Sequence, residues 1–235
     1  MTTEAVLEEL AALASESTRK TFLRHGAPAN LLGVRVGDMK TIVKKVKKNH
    51  ALSLSLYKSG NPDAQYLAGL IADEKKISKA DLQSWAEEST WHMVSEYTVA
   101  WIAAESPFGW ELGLEWIDSD EERIASAGWN ALSSWLSLQP DAAIDFDAVS
   151  ALLDRVAATI HAAQNRVRYC MNGFVIAVGS FYPPLLDKAK AVGKALGKVS
   201  VNMGDTACEV PNAPAYIEKV ESMGRVGKKK KMARC

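Results

Sequence analysis

The chain has 235 residues, 48% of them hydrophobic and 24% charged, with a formal net charge of zero; this is an ordinary globular composition that can bury a core without disulfide staples. Its three cysteines, Cys170, Cys208 and Cys235, are odd in number and widely spaced, which predicts reduced thiols and a cytoplasmic setting. The acidic, amphipathic start argues against a secretory signal, and no apolar run is long enough to span a bilayer.

Apolar residues recur every three or four positions in nearly every segment, with no sustained alternation, so the spacing predicts helices throughout. Val6, Leu7, Leu10 and Leu13 form the apolar face of the first helix. Met39, Ile42, Val43 and Val46 do the same for a later one, whose opposite side carries lysines. Asn61-Pro62 opens a helix with Tyr66, Leu67, Leu70 and Ile71, because Asn caps well and Pro fits the first turn. Ser78 with Asp81 has the form of a capping box ahead of Leu82 and Trp85. Ser106-Pro107 introduces Trp110, Leu114 and Ile117, and the acids at 120–122 suit the start of a helix running to Leu136. Gln139-Pro140 ends it. Asp145 or Asp147 begins the next, and 164–178 forms another, on which Cys170 reads as buried filler.

Short helices with brief connectors predict antiparallel pairs stacked side by side: an all-α, HEAT-like α-solenoid over 1–200. The turn formers of 201–214 predict an irregular wrap, with a short helix following, so that 201–224 packs on the repeats. The basic run of 225–235 reads as a flexible tail. Gly193 and Gly197 read as points of close helix packing.

Charge is unevenly spread. Lys40, Lys44, Lys45, Lys47 and Lys48 crowd one segment, 61–154 is strongly acidic, and Arg166 and Arg168 precede a lysine-bearing C-terminal part. Basic segments far apart in sequence can converge into one phosphate-attracting face on folding. Against that stand Glu87, Glu88, Glu96, Glu105, Glu111 and Glu115, which repel DNA unless they face away. All seven tryptophans lie between Trp85 and Trp135, either as helix–helix core or as a cage for a base or cation. His25, His50, His92 and His161 show no metal-ligand spacing, no glycine loop cradles phosphate, and neither metal nor cofactor is expected.

The stretch Ser89-Thr90-Trp91-His92-Met93-Val94, followed by Trp116-Ile117-Asp118-Ser119-Asp120 and its helix, resembles the DNA alkylation repair family, the AlkD-like HEAT-repeat DNA glycosylases. The resemblance extends over roughly 1–180. It implies a basic concave surface that grips duplex DNA and excises alkylated purines without a deep base pocket. Such chemistry builds cationic character on the sugar, which a carboxylate or an aromatic face stabilises. The resemblance puts Trp91 in the cleft for cation contact. The family's aspartate position falls on Ser95, leaving the neighbouring Glu96 as the fallback carboxylate. Its arginine falls near Ser126, with Arg123 the nearest basic residue, and its second tryptophan aligns at Phe174, a second aromatic wall.

The expected function is therefore binding of double-stranded or damaged DNA by a monomer through Lys40, Lys44, Lys45, Lys47, Lys48, Arg123, Arg166 and Arg168, with base excision altered or lost. The alternative is a non-catalytic solenoid whose hollow holds a protein partner.

Overall fold

A computed structural model describes residues 1–234, so Cys235 and its expected thiol lie outside the described residues. Among the described residues there are thirteen α-helices and no strand. In chain order they are α1 (Thr3–Leu13), α2 (Glu16–Arg24), α3 (Val36–Val46), α4 (His50–Lys58), α5 (Pro62–Ile71), α6 (Lys79–Glu88), α7 (Ala100–Glu105), α8 (Gly109–Trp116), α9 (Glu122–Leu138), α10 (Phe146–Thr159), α11 (Asn165–Phe181), α12 (Leu186–Leu196) and α13 (Ala213–Ser222). A π-helical turn, Val94–Val99, runs directly into α7.

Local chemistry sets many of the starts. Thr2, Ser15, Asn49, Asn61, Asp145 and Asn212 each accept a backbone N–H of the first turn through the side chain, and Ser78 and Asp81 form the reciprocal capping box. The loop between α2 and α3 is held by the buried Asp63 carboxylate, which accepts N–H bonds from Leu32, Gly33 and Val34 at 2.8, 3.2 and 2.8 Å.

The helices stack in two rows, the HEAT-like solenoid expected from their lengths and connectors. One row is α3, α5, the π turn with α7, α9, α11 and α13; the other contains α4, α6, α8, α10 and α12. Neighbours in the first row pack more closely than those in the second, which places the first row inside the curve. Burial explains the stacking: each helix hides one apolar stripe against its neighbours in both rows. One core gathers Leu10, Met39, Ile42, Leu67 and Leu82, and a second gathers Trp129, Leu136, Leu153, Phe174 and Ile217. Helix α9 feeds both, with Ala127 and Ala131 on one side and Trp129 and Leu132 on the other.

The tryptophans are mainly structural. Trp85 stacks on Tyr57 at 4.1 Å, Trp110 leans on Trp135 at 4.8 Å, and Trp116 donates its indole N–H to Gln83. Helix α13 extends the inner row because Gly179 admits it: a Cβ there would lie 2.5 Å from Ile217. Gly193 lets Ala213 and Pro214 approach α12 in the same way, whereas Gly197, expected to do likewise, ends α12 at a φ of +62°.

The basic tail departs from expectation: among the described residues it is docked along the C-terminal ends of the inner helices. Lys229 donates to Leu136 O at 3.0 Å and Phe181 O at 2.7 Å, carbonyls at the ends of α9 and α11, and pairs with Asp141 at 3.0 Å. Arg234 donates to Gly69 O at 3.0 Å and Ala72 O at 2.9 Å at the end of α5, and pairs with Glu74 and Glu105. The last carbonyls of a helix lack intrahelical partners and carry the negative end of its dipole, so cations from a basic segment satisfy them.

Candidate nucleic-acid interface

The residues singled out around Trp91 lie at the N-terminal ends of the inner helices, where the π turn changes their presentation. Such turns crowd an additional residue into the coil. Here the turn buries Ser95 and Glu96 together, both fully enclosed. Arg166, from the first turn of α11, grips the Glu96 carboxylate at both oxygens: Nε donates to Oε1 at 2.6 Å and Nη2 to Oε2 at 2.5 Å. The guanidinium also covers the Tyr169 ring at 4.5 Å. Burial pushes the Glu96 carboxyl up, opposed by the hydrogen bonds and charge of Arg166. Burial also works against charge on Arg166, yet Glu96 holds its guanidinium firmly protonated. The two form a closed, mutually neutralising pair. Beside them, burial, followed by the Arg166 and His25 charges, pushes His92 down to about 3.

The irregular segment after α12 crosses this place. Asn202 and Asn165 exchange hydrogen bonds of 3.0 and 2.7 Å, Met203 Sδ lies 3.7 Å from Arg166 Nη1, and Asp205 donates its backbone N–H to Arg24 O at 3.0 Å. A cleft of about 380 Å³ persists between the segment and the inner row, lined by His25, His92, Tyr97, Arg166, Tyr169 and Cys208 among others.

The residues expected to act together are not assembled. Trp91 turns toward α2, half-buried against Phe22 at 5.3 Å, with its indole N–H donated to His25 O at 3.1 Å; the space around it is only about 10 Å³. The aromatic wall expected at Phe174 is absent, because that ring is fully buried edge-on to Trp129 at 5.2 Å. Arg166, expected on phosphate, is spent on Glu96, and Arg168 is half-buried. Arg123 is exposed and faces Glu121 at 3.5 Å. Lys45 of α3 pairs with Glu9 at 2.9 Å, and Lys48, two residues past the helix, pairs with Glu74 at 2.7 Å.

Convergence of distant basic segments occurs at the opposite ends of the same helices. Lys40 and Lys44 of α3, with Lys47 just past its end, face Lys230, Lys231 and Arg234 of the C-terminal segment across a cleft of about 780 Å³. Glu74 and Glu105, the acids lining it, are occupied by Lys48 and Arg234. An adjoining cleft of about 700 Å³ lies between α9, α11, α13 and the same segment, lined by Lys219, Arg225, Lys228 and Lys229 with no carboxylate among its described lining residues; Lys230 and Lys231 border both clefts. Much of the rest of the acidic middle is accounted for elsewhere: Glu96 is paired with Arg166, and Glu111 and Glu115 hold Lys79 on the outer row. The sequence shows the tail's charge, but not that it docks beside α3; a charge run looks the same whether free or anchored.

Comparison with known proteins adds a family model, two relatives and a solved structure. A family model described as DNA alkylation repair enzyme matches residues 6–201. Uncharacterized proteins of Listeria monocytogenes serovar 1/2a and Listeria innocua serovar 6a are each 36% identical over 220 residues, covering 91% of this chain and 95% of theirs. A solved structure from a family of proteins related to the HEAT-like repeat DNA glycosylases, with affinity for branched DNA structures, is 37% identical, with a TM-score of 0.92 over 100% of both chains.

Proposed function

This chain belongs to the DNA alkylation repair enzyme family, and on that premise we propose that it binds DNA through the phosphate backbone, branched DNA included, without excising bases by the family's carboxylate chemistry. The observation that carries the reading is the cleft of about 780 Å³, into which Lys40, Lys44, Lys47, Lys230 and Lys231 point charges with no carboxylate partner among the described residues. Cations on a shared face attract phosphate in proportion to the counterions they displace. The affinity of the solved relative's family for branched DNA supports the choice of ligand.

Loss of excision rests on the other end of the helices. A carboxylate that stabilises a sugar cation must stand free at the place where charge develops. Glu96 is wholly buried and has both oxygens on Arg166, Ser95 is neutral and buried, and Trp91 packs on Phe22. His92 is held neutral at physiological pH and does not supply a proton.

Fluorescence anisotropy with a labelled duplex and a labelled three-way junction, over a salt series, tests the reading. Five lysines on phosphate give a slope of log K against log salt of about −4 to −5. Binding that is absent even at low salt refutes the proposal and favours the protein-interaction solenoid. Release of methylated purine from an alkylated duplex stays at background; release that Glu96→Gln abolishes would return Glu96 to the chemistry.

A further inference from the structure

We infer that the docked C-terminal segment discriminates branched from linear DNA, because Lys230 and Lys231 form the divide between two cationic clefts and a junction can lay a phosphate backbone in each. The inference rests on the DNA-binding reading above and adds the element that selects the ligand.

Position comes first. The segment is pinned on both sides of the divide, by Lys229 on the carbonyls of Leu136 and Phe181 and by Arg234 on those of Gly69 and Ala72. Between the pins, Lys230 donates its backbone N–H to Ser137 O at 2.8 Å and rests its ammonium over the Phe181 ring at 5.4 Å. A free lysine run attracts any polyanion without regard to shape. One fixed at both ends presents its charges at set places, so geometry enters the selection.

Charge comes second. On one side of the divide stand Lys40, Lys44 and Lys47; on the other stand Lys219, Arg225 and Lys228. The second cleft adds a hydroxyl, since buried Ser180 lines it and its Oγ has no hydrogen-bond partner. A straight duplex is a rod that follows one cleft at a time. At a branch point, backbones leave one place in different directions, so phosphate density is highest where they part. The divide is the matching place on the protein: Lys230 and Lys231 meet the crowded phosphates, and each cleft receives an outgoing arm.

The test compares the full chain with Lys230→Ser/Lys231→Ser and with Arg234→Ala, using a labelled three-way junction and a linear duplex of equal nucleotide number at 0.15 M salt. Two phosphate contacts at the branch point are worth about thirtyfold in junction binding at this salt, from a slope of about 0.9 per contact, and the double variant costs the duplex less, because a rod lying along one cleft spaces its phosphates along its axis and does not gather them at the divide. The junction-to-duplex affinity ratio therefore falls toward one in the double variant. Arg234→Ala, which keeps both lysines but frees the segment, lowers the same ratio, with thermal unfolding recorded alongside. Lys230 and Lys231 are exposed, so the double variant remains informative even where Arg234→Ala is unstable. Equal losses on both DNAs, or an unchanged ratio, overturn the inference while DNA binding stands. A wild type that binds neither DNA overturns the reading beneath it.

Discussion

Replacing Arg166 with alanine strands the Glu96 carboxylate where water does not reach it. The Glu96 side chain is 0% exposed and that of Arg166 12%, and Arg166 takes both carboxylate oxygens. Removing one member of a buried pair costs about 3–5 kcal/mol, whereas exchanging both for apolar groups of similar volume is roughly neutral or stabilising. In a chain of this size 1 kcal/mol moves Tm by about 2–4 °C, so Arg166→Ala lowers Tm by roughly 6–20 °C, and Glu96→Leu/Arg166→Met recovers most of the loss. Protonation gives a second readout. Burial already raises the Glu96 carboxyl, and without Arg166 it rises further. A raised folded-state pKa favours the fold below the unfolded value and loses that benefit as pH rises through the folded one, so the variant's deficit shrinks as pH falls from 8 toward 5. Urea unfolding followed by circular dichroism at pH 8, 6.5 and 5 measures both effects. A loss under about 1 kcal/mol that is flat with pH, as for an exposed pair, would mean that Glu96 reaches solvent and is available for chemistry.

His92 gives the opposite pH signature. Its pKa is depressed to about 3 from an ordinary 6.5, so its contribution is full above 6.5 and is lost as pH falls toward 3. The slope is at most about 1.4 kcal/mol per unit, less whatever solvent at its open edge screens. His92→Phe flattens the unfolding free energy over that window, and an unchanged profile refutes the assignment. Lys47 ends α3 at a φ of 55°, the single positive φ on a non-glycine residue among the described residues. Lys47→Gly relieves strain of about 1–3 kcal/mol against a backbone-entropy loss of about 0.5–1; its urea midpoint therefore holds or rises while DNA affinity falls, and a lowered midpoint contradicts the strain. Gly204 has a φ of +78°, and a Cβ there would meet Arg24 O at 2.2 Å. Gly204→Ala loosens the segment over the Glu96 site, read as faster amide exchange at 204–208; unchanged exchange there would count against a tight crossing.

Much of the fold is written in neighbouring residues, which is why it can be read from the chain. The caps at Asn61, Ser78 and Asp145 act within three residues, and the Met39–Ile42 face of α3 follows from helical spacing. Contacts across the chain are another matter. Glu96 and Arg166 are 70 positions apart, and nothing near either announces the other. Within Val94–Val99 no residue type marks a π turn, so presentation of Ser95 and Glu96 had to come from packing. Lys44 and Lys45 look equivalent in sequence, yet Lys45 meets Glu9 and Lys44 lines the cleft. Phe174 fits an aromatic wall and a core equally well until Trp129 is placed against it.

The two pins of the C-terminal segment also bear on mechanics. By tying the ends of α9 and α11 to that of α5, the segment spans the arc of stacked coils like a bowstring and resists its opening. On the DNA-binding reading proposed above, an arc braced in this way does not straighten to suit a rod, so the rod bends to enter it. Smoothly curving 20–30 base pairs by 40–90° costs of order 1–6 kcal/mol. A nucleic acid that already turns a corner is spared that elastic work.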